Sequence, residues 1–546
     1  MSSPTDFIAR PSTIDPSASS ASEGTLAPLG RPVAVGLLLV LVLAAVLRFT
    51  ALGFGAGVME ARPDEMGVAL ALRGMRTGQP FPMFFAYGGG YHTPLYAFVG
   101  SWERLFWNDD LVTMVARDPQ RVFVAARAWS AILSTATVLL TFAIGRRLGG
   151  GATGLLAAAS AFAKCASRTA SGDTASNAAA SFVAASAFFV LADRSRSLTS
   201  RAVRIGLVAG LALGTKYLVG FAFVLMLDLG RELRWSLRDG RWRYVASAGA
   251  LALAVFLLLA PTWITDPKQS AAFTRAVVAS QQNFPVQAFF SGWVGGPLEY
   301  HATVSLRTGT GLLFALLTLP ALLCALRRPG ASRMIAVAIL AHGLVLAANP
   351  LVVARNLLPA LSGLAVLVAD LVHRALQRAS APRRRLAAAM ALFGVILVAE
   401  PIVAAIRLVN LLGRQDTRAA ASQWIDDNLP PNARIATWGA PAGAADFGAP
   451  TLTGRRAARG ATPAQWRQLG ITHLVRHSYP LPYSSAPLPA DWPEMRRVAA
   501  FDPFDGPMRS PVLEPLDAFY LPLGGLDGVA QPGPLIEIFE LPGDAR

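Results

Sequence analysis

The sequence predicts a polytopic α-helical membrane protein. It has a transmembrane domain of about eleven helices, interfacial helices in the first outer loop, and a small C-terminal α/β domain on the extracytoplasmic side. Three observations carry this reading. Of 546 residues, 53% are hydrophobic and only 15% charged, with a mean hydropathy of +0.44, which is more apolar sequence than one soluble core can absorb. The apolar residues come in repeated long runs, of which GLLLVLVLAAVL is the first. The net charge of +16 falls as short arginine clusters between those runs, which is the positive-inside pattern and assigns the basic excess to topology, not to nucleic acid.

Residues 1–31 are rich in Ser, Pro and Ala without apolar periodicity and read as a disordered cytoplasmic tail. The run from about 32 to 47 lacks a small-residue cleavage site and is expected to be an uncleaved first span. Residues 50–121 then form a long outer loop. It holds the amphipathic MGVALALRGMR and the aromatic FPMFFAYGGGYHTPLYAF, compositions that suit helices in the membrane interface.

Further spans are expected at about 123–145, 151–164 and 177–192, with GRRLGG and RSRSLTSRAVR on the cytoplasmic side. The next apolar stretch decides a structural question. Were 204–229 one helix, the arginine-rich 231–243 would lie outside, against the positive-inside rule. Two short helices broken at Gly214-Thr215-Lys216-Tyr217 resolve the conflict. That break sets Lys216 at the membrane edge, where an ammonium is expensive and is expected to meet an anion, unless it snorkels. Spans at about 244–264, 308–326 and 334–348 follow, with an outer loop at 265–305. Arg355 opens the tenth span on the outer side, and an eleventh, about 386–408, returns the chain outward. The transmembrane domain is therefore assigned to 32–411 and the outer domain to 412–546. In the latter, DTRAAASQWIDDNLP reads as an amphipathic helix, and ARIATWG, THLVRHS and LIEIFEL read as strands.

Within this frame the adjacent carboxylates Asp64 and Glu65 stand out, since they leave the first span where ionised groups are costly. They also suit the first turn of a helix with Pro63 at its start. Asp173 is a third acid on the same face. Cys165 and Cys324 lie far apart in or beside apolar segments, which argues against a disulfide framework or a cysteine metal site. His473 and His477 are four apart, but in a β-like run with no accompanying carboxylate motif, which makes a poor metal site.

Six short motifs, in order, resemble the GT-C superfamily of glycosyltransferases that use polyprenyl-phosphate sugars, such as dolichyl-phosphate-mannose protein mannosyltransferases and the aminoarabinose transferase. They are ARPDE (Ala61–Glu65), GGYHTPLYAF (Gly89–Phe98), SGDTASN (Ser171–Asn177), GLALGTKY (Gly210–Tyr217), RNLLPAL (Arg355–Leu361) and DTRAAASQWIDDNLP (Asp416–Pro430). The chain departs from the usual pattern at Ala61-Arg62, where bacterial members often have a His, and at the polar 171–177 loop. The resemblance implies inverting single displacement on the extracytoplasmic face of the plasma membrane. The expected partners are a polyprenyl-phosphate sugar donor, a lipid, glycan or protein acceptor, and membrane lipids, with no nucleic acid. Branches of the family differ in metal dependence, so a divalent metal is left open.

The residue chemistry fits independently. An alcohol needs its proton accepted to become a good nucleophile, and a carboxylate at a water-poor interface suits that task; Asp64 is assigned as base, with Glu65 supporting it. A leaving polyprenyl phosphate gathers negative charge, which Lys216 and Arg355 would stabilise. Asp173, His92 and Tyr217 are candidates for substrate or metal contact, with a helix cap as a further reading of Asp173. A transporter would more often show internal repeats and paired broken helices. A scaffold presenting the outer domain would need neither the Asp64–Glu65 pair nor Lys216.

Overall fold

The computed structural model describes residues 28–50, 52–56, 58, 65–79, 89–166, 174–193, 197–216, 218–233, 240–282, 296–349, 352–378, 383–438, 456–459, 466, 468–480, 495–513 and 520–541. The first apolar run is helix α1 (Arg31–Phe49). Between α1 and the next long helix lie α2 (Glu65–Thr77), α3 (Gly89–Phe106) and the short α4 (Leu111–Arg117), the last capped by Asp110 accepting from the Thr113 N–H. The amphipathic stripe of α2 is covered by protein: Val68, Ala69 and Leu72 pack with Tyr91 and Leu95 of α3 and with Val122 and Phe123 of the next helix.

That helix is α5 (Pro119–Gly149), which a glycine turn joins to α6 (Gly151–Ala166). There follow α7 (Thr174–Ala192), α8 (Leu198–Gly214), α9 (Val219–Glu232) and α10 (Trp242–Leu259). After α10 comes α11 (Pro267–Gln282). The remaining long helices are α12 (Leu312–Leu326), α13 (Ala331–Ala348), α14 (Leu358–Arg378) and α15 (Arg383–Leu412). Among the described residues, six helical stretches are long and apolar enough to cross a membrane, and three shorter helices are strongly apolar. Helix α14 is the buried axis of this domain, with Ala360, Ala365, Val366, Val368 and Ala369 at or near zero exposure.

The reversal between α8 and α9 is built as the charge pattern required. Arg201 near the start of α8 pairs with Asp228 and, at 2.9 Å, with Glu232 at the end of α9. A continuous helix would separate residues 27 apart in sequence by about 40 Å. Their pairing therefore requires a hairpin, with the arginine-rich ends on one side.

The chain after α15 folds as α16 (Thr417–Asn428) and a five-stranded mixed sheet. Its strands are β1 (Ile435–Trp438), β2 (Arg456–Arg459), β3 (His473–Ser478), β4 (Arg496–Phe501) and β5 (Leu535–Glu540), in the order β2-β1-β3-β5-β4. β1 is parallel to β2 and β3, whereas β5 is antiparallel to β3 and β4. Ala421 and Ile425 of α16 close over Ile435, Val475, Ile536 and Ile538 as its core. The domain is anchored to α15 by an Arg407–Asp527 ion pair of 2.9 Å and by apolar packing.

Candidate active site

Four of the resembling motifs meet at the break between α8 and α9. After Gly214 the chain turns through Lys216 at a left-handed φ of +54°, and the Leu218 N–H reaches back to the Ala212 carbonyl at 2.8 Å. The Lys216 ammonium donates to Asn177 Oδ1 at 2.6 Å and to Asn356 Oδ1 at 3.4 Å. Asn177 is the last residue of SGDTASN and is buried in the first turn of α7. Asn356 belongs to RNLLPAL and sits in the 3-10 turn Ala354–Leu357 that opens α14, beside the half-buried Arg355. The fourth motif arrives through Gly90, where a Cβ would stand 2.5 Å from Thr215 Oγ1 and 2.7 Å from the Gly214 carbonyl oxygen. Only glycine lets the start of α3 come so close to the break.

The turn carrying Asn356 is held from behind. His342 Nε2 lies 2.9 Å from the Asn356 carbonyl oxygen, and because a carbonyl only accepts, that nitrogen carries the proton. The His342 ring also lies 5.3 Å from Phe221 of α9. One histidine thus ties α13, the second half of the broken hairpin and the cation-bearing turn together.

A second centre surrounds Glu65, the first residue of α2. Its buried carboxylate receives Arg127 Nε at 2.8 Å and Nη2 at 2.9 Å, the bidentate geometry that makes such pairs strong and directional. Arg127 Nη1 donates to the carbonyls of Leu52 and Phe54, both at 2.8 Å, and its guanidinium lies 3.6 Å over the Phe54 ring. Two turns earlier on α5, Gln120 donates to the carbonyls of Gly55 and Val58. Helix α5 therefore holds the chain on both sides of 59–64. Asp64 lies within that interval, outside the described residues. The two centres share one packing cluster, which holds Val68 and Ala69 beyond Glu65 and Ala178 and Ala179 beyond Asn177.

Of the other predicted residues, His92 is fully buried at the start of α3, its ring 4.7 Å from Tyr91. Asp173 and Tyr217 lie outside the described residues. His473 and His477 occupy one face of β3, opposite Glu540 and Ile536. Among the described residues no three His, Cys, Asp or Glu side chains come together. In the sixth motif, Asp416 caps α16, accepting from the Arg418 N–H at 2.9 Å and pairing with its guanidinium at 2.8 Å; that motif is a structural junction.

Asn177, Asn356, His342, Gln120 and Arg127 were not singled out in the sequence. Two of them lie inside quoted motifs, and the available signal was Asn356 adjoining Arg355. His342 and Arg127 are isolated polar residues in apolar runs, and only the fold reveals their partners.

No protein-family model and no curated protein matches the chain. Several solved structures are similar in shape. ArnT from Cupriavidus metallidurans bound to undecaprenyl phosphate has a TM-score of 0.48 at 15% identity, covering 81% of this chain and 92% of that one. The oligosaccharyltransferase AglB from Archaeoglobus fulgidus, in complex with an inhibitory peptide and a dolichol-phosphate, has a TM-score of 0.45 at 12% identity, covering 81% and 69%. An Archaeoglobus fulgidus oligosaccharyltransferase in complex with zinc and sulfate has a TM-score of 0.46 at 9% identity, covering 81% and 68%.

Proposed function

We propose that this protein is a membrane glycosyltransferase that moves a sugar from a polyprenyl-phosphate donor to an acceptor hydroxyl at the extracytoplasmic face. The observation that supports this best is the Lys216 turn. A left-handed lysine at a helix break, hydrogen-bonded to Asn177 and Asn356 beside Arg355, concentrates cations where a lipid phosphate would enter from the bilayer.

In this reading the acceptor oxygen attacks the anomeric carbon as the bond from that carbon to the phosphate oxygen breaks. The acceptor proton passes to Asp64, and the polyprenyl phosphate leaves with the bonding pair. Lys216 and Arg355 stabilise the charge gathered on its oxygens, in surroundings where water competes little. Asn177 and Asn356 fix the ammonium before reaction, so little reorganisation is needed as charge develops. Glu65, engaged by Arg127, orients the segment ahead of it instead of taking the proton.

The test is transfer by the purified full-length protein from a panel of undecaprenyl-phosphate sugars. Asp64→Asn should keep donor binding and lose about two to four orders of magnitude in rate, while Lys216→Met should weaken binding and turnover together. Wild-type transfer by Asp64→Asn, with an unchanged melting curve, would remove the base assignment.

A further inference from the structure

The outer domain reaches both centres through one short segment. Leu521 and Val529 are buried with Phe54 and the outer end of α15, and Phe54 is the ring on which the Arg127 guanidinium rests. Two residues beyond Leu521, Leu523 packs against Tyr300, Val352 and Ala354. Ala354 opens the turn that carries Arg355 and Asn356. Gly524 continues the contact, since a Cβ there would stand 2.8 Å from Thr308 Cγ2. The segment is braced from its own domain, with the Leu523 N–H on the Val512 carbonyl at 2.9 Å and the Val512 N–H on the Gly524 carbonyl at 2.8 Å.

We propose that residues 521–529 form a clasp that sets the position of the Arg355–Asn356 turn relative to the Glu65 centre, with Leu523 as a positioning residue acting through Ala354. This rests on the donor-phosphate reading of Lys216 and Arg355. A turn that opens a helix gains little rigidity from its own few hydrogen bonds, and the packing of Leu523 against the cluster that contains Ala354 supplies the missing constraint. The outer domain is then a working part of the donor site. Loosening the clasp lowers the fraction of molecules whose turn is competent to bind, and apparent affinity falls in proportion.

Full-length wild type, Leu523→Ala, Leu523→Met and Lys216→Met would be compared in detergent for binding of undecaprenyl phosphate by native mass spectrometry. Hydrogen exchange would be followed at residues 352–357. Leu523→Ala is expected to weaken binding about tenfold and to speed exchange at 352–357 while leaving the β-sheet unchanged; Leu523→Met should restore both. Wild-type binding and exchange in Leu523→Ala, alongside lost binding in Lys216→Met, would overturn the clasp and leave the donor reading standing. Wild-type binding by Lys216→Met would overturn the donor reading and the clasp with it. Should Leu523→Ala not fold, Leu523→Val, one methylene shorter than Leu, carries the same expectation at smaller amplitude and the same refutation.

Discussion

Glu65 and Arg127 meet through two hydrogen bonds of 2.8 and 2.9 Å although 62 residues separate them, and both side chains are almost wholly buried. Removing one member of such a pair strands the other's charge in a medium that cannot solvate it, a loss of about 3–5 kcal/mol. Glu65→Gln and Arg127→Met are each expected to lower the melting temperature of the full-length protein markedly. The double variant Glu65→Met/Arg127→Met should recover part of the loss, because no charge is stranded. Thermal unfolding of all four proteins measures this, and strictly additive losses would contradict it.

Two glycines of α3 should respond oppositely to alanine. At Gly100 a Cβ meets nothing within 4 Å, so Gly100→Ala should stabilise by about 0.5–1 kcal/mol through the ordinary helix preference. At Gly90 the new methyl would collide with Thr215 and the backbone of Gly214. Gly90→Ala should therefore destabilise by about 1–3 kcal/mol and weaken donor binding, since the displaced atoms adjoin Lys216. Denaturant midpoints separate the two, and equal shifts would contradict the close approach.

His342 should matter through its donated hydrogen bond. His342→Leu leaves the half-buried Asn356 carbonyl without that donor, at a cost of about 1–3 kcal/mol, and frees the turn beside Arg355. His342→Gln retains a donor and should lose less. Melting temperature and undecaprenyl phosphate binding are the readouts, and indistinguishable Leu and Gln variants would contradict the role.

Outside the spans, burial pushes His473 below its ordinary 6.5, with the nearby Glu540 opposing that shift. On acidification the unfolded domain takes up this proton near 6.5, and the folded domain only at lower pH. Stability therefore rises with pH across that interval and is lost as pH falls below about 6.5. Glu540 is held below its ordinary 4.5 first by its hydrogen bond from Arg496 and then by the charge of that guanidinium, which adds a further loss as pH drops through the acidic range. Pulse proteolysis of the outer domain in urea, from pH 7.5 to 5, should show the first loss in wild type and a flatter response in His473→Gln.

Most of the architecture was legible because charge and hydropathy act locally. Arginine clusters had to lie on one side, and that requirement alone located the break at Lys216 that Arg201 and Asp228 now display. The strands of the outer domain were legible through short apolar runs between turn residues. Three kinds of feature were not. Helix α2 read as an interfacial helix, yet its apolar stripe meets α3, α4 and α5, because amphipathicity reports that a face is covered and not by what. Lys216 was expected to meet an anion, and the contacts that hold it include two asparagine amides, whose neutrality gives no periodic or electrostatic signal. Arg127 falls inside an expected span and carried no signal of its own, since its carboxylate partner is remote in sequence.

The backbone at Lys216 has a consequence for how this position can change. A lysine at a φ of +54° bears a steric cost of about 1–2 kcal/mol that glycine would escape. Stability and chemistry therefore pull this position in opposite directions. Lys216→Gly would relax the turn while deleting the ammonium, yielding a sturdier fold with a weaker hold on phosphate. Selection for thermal robustness alone would tend to erase this residue. On the donor-phosphate reading proposed above, the strained backbone is the cost of setting this ammonium at the break.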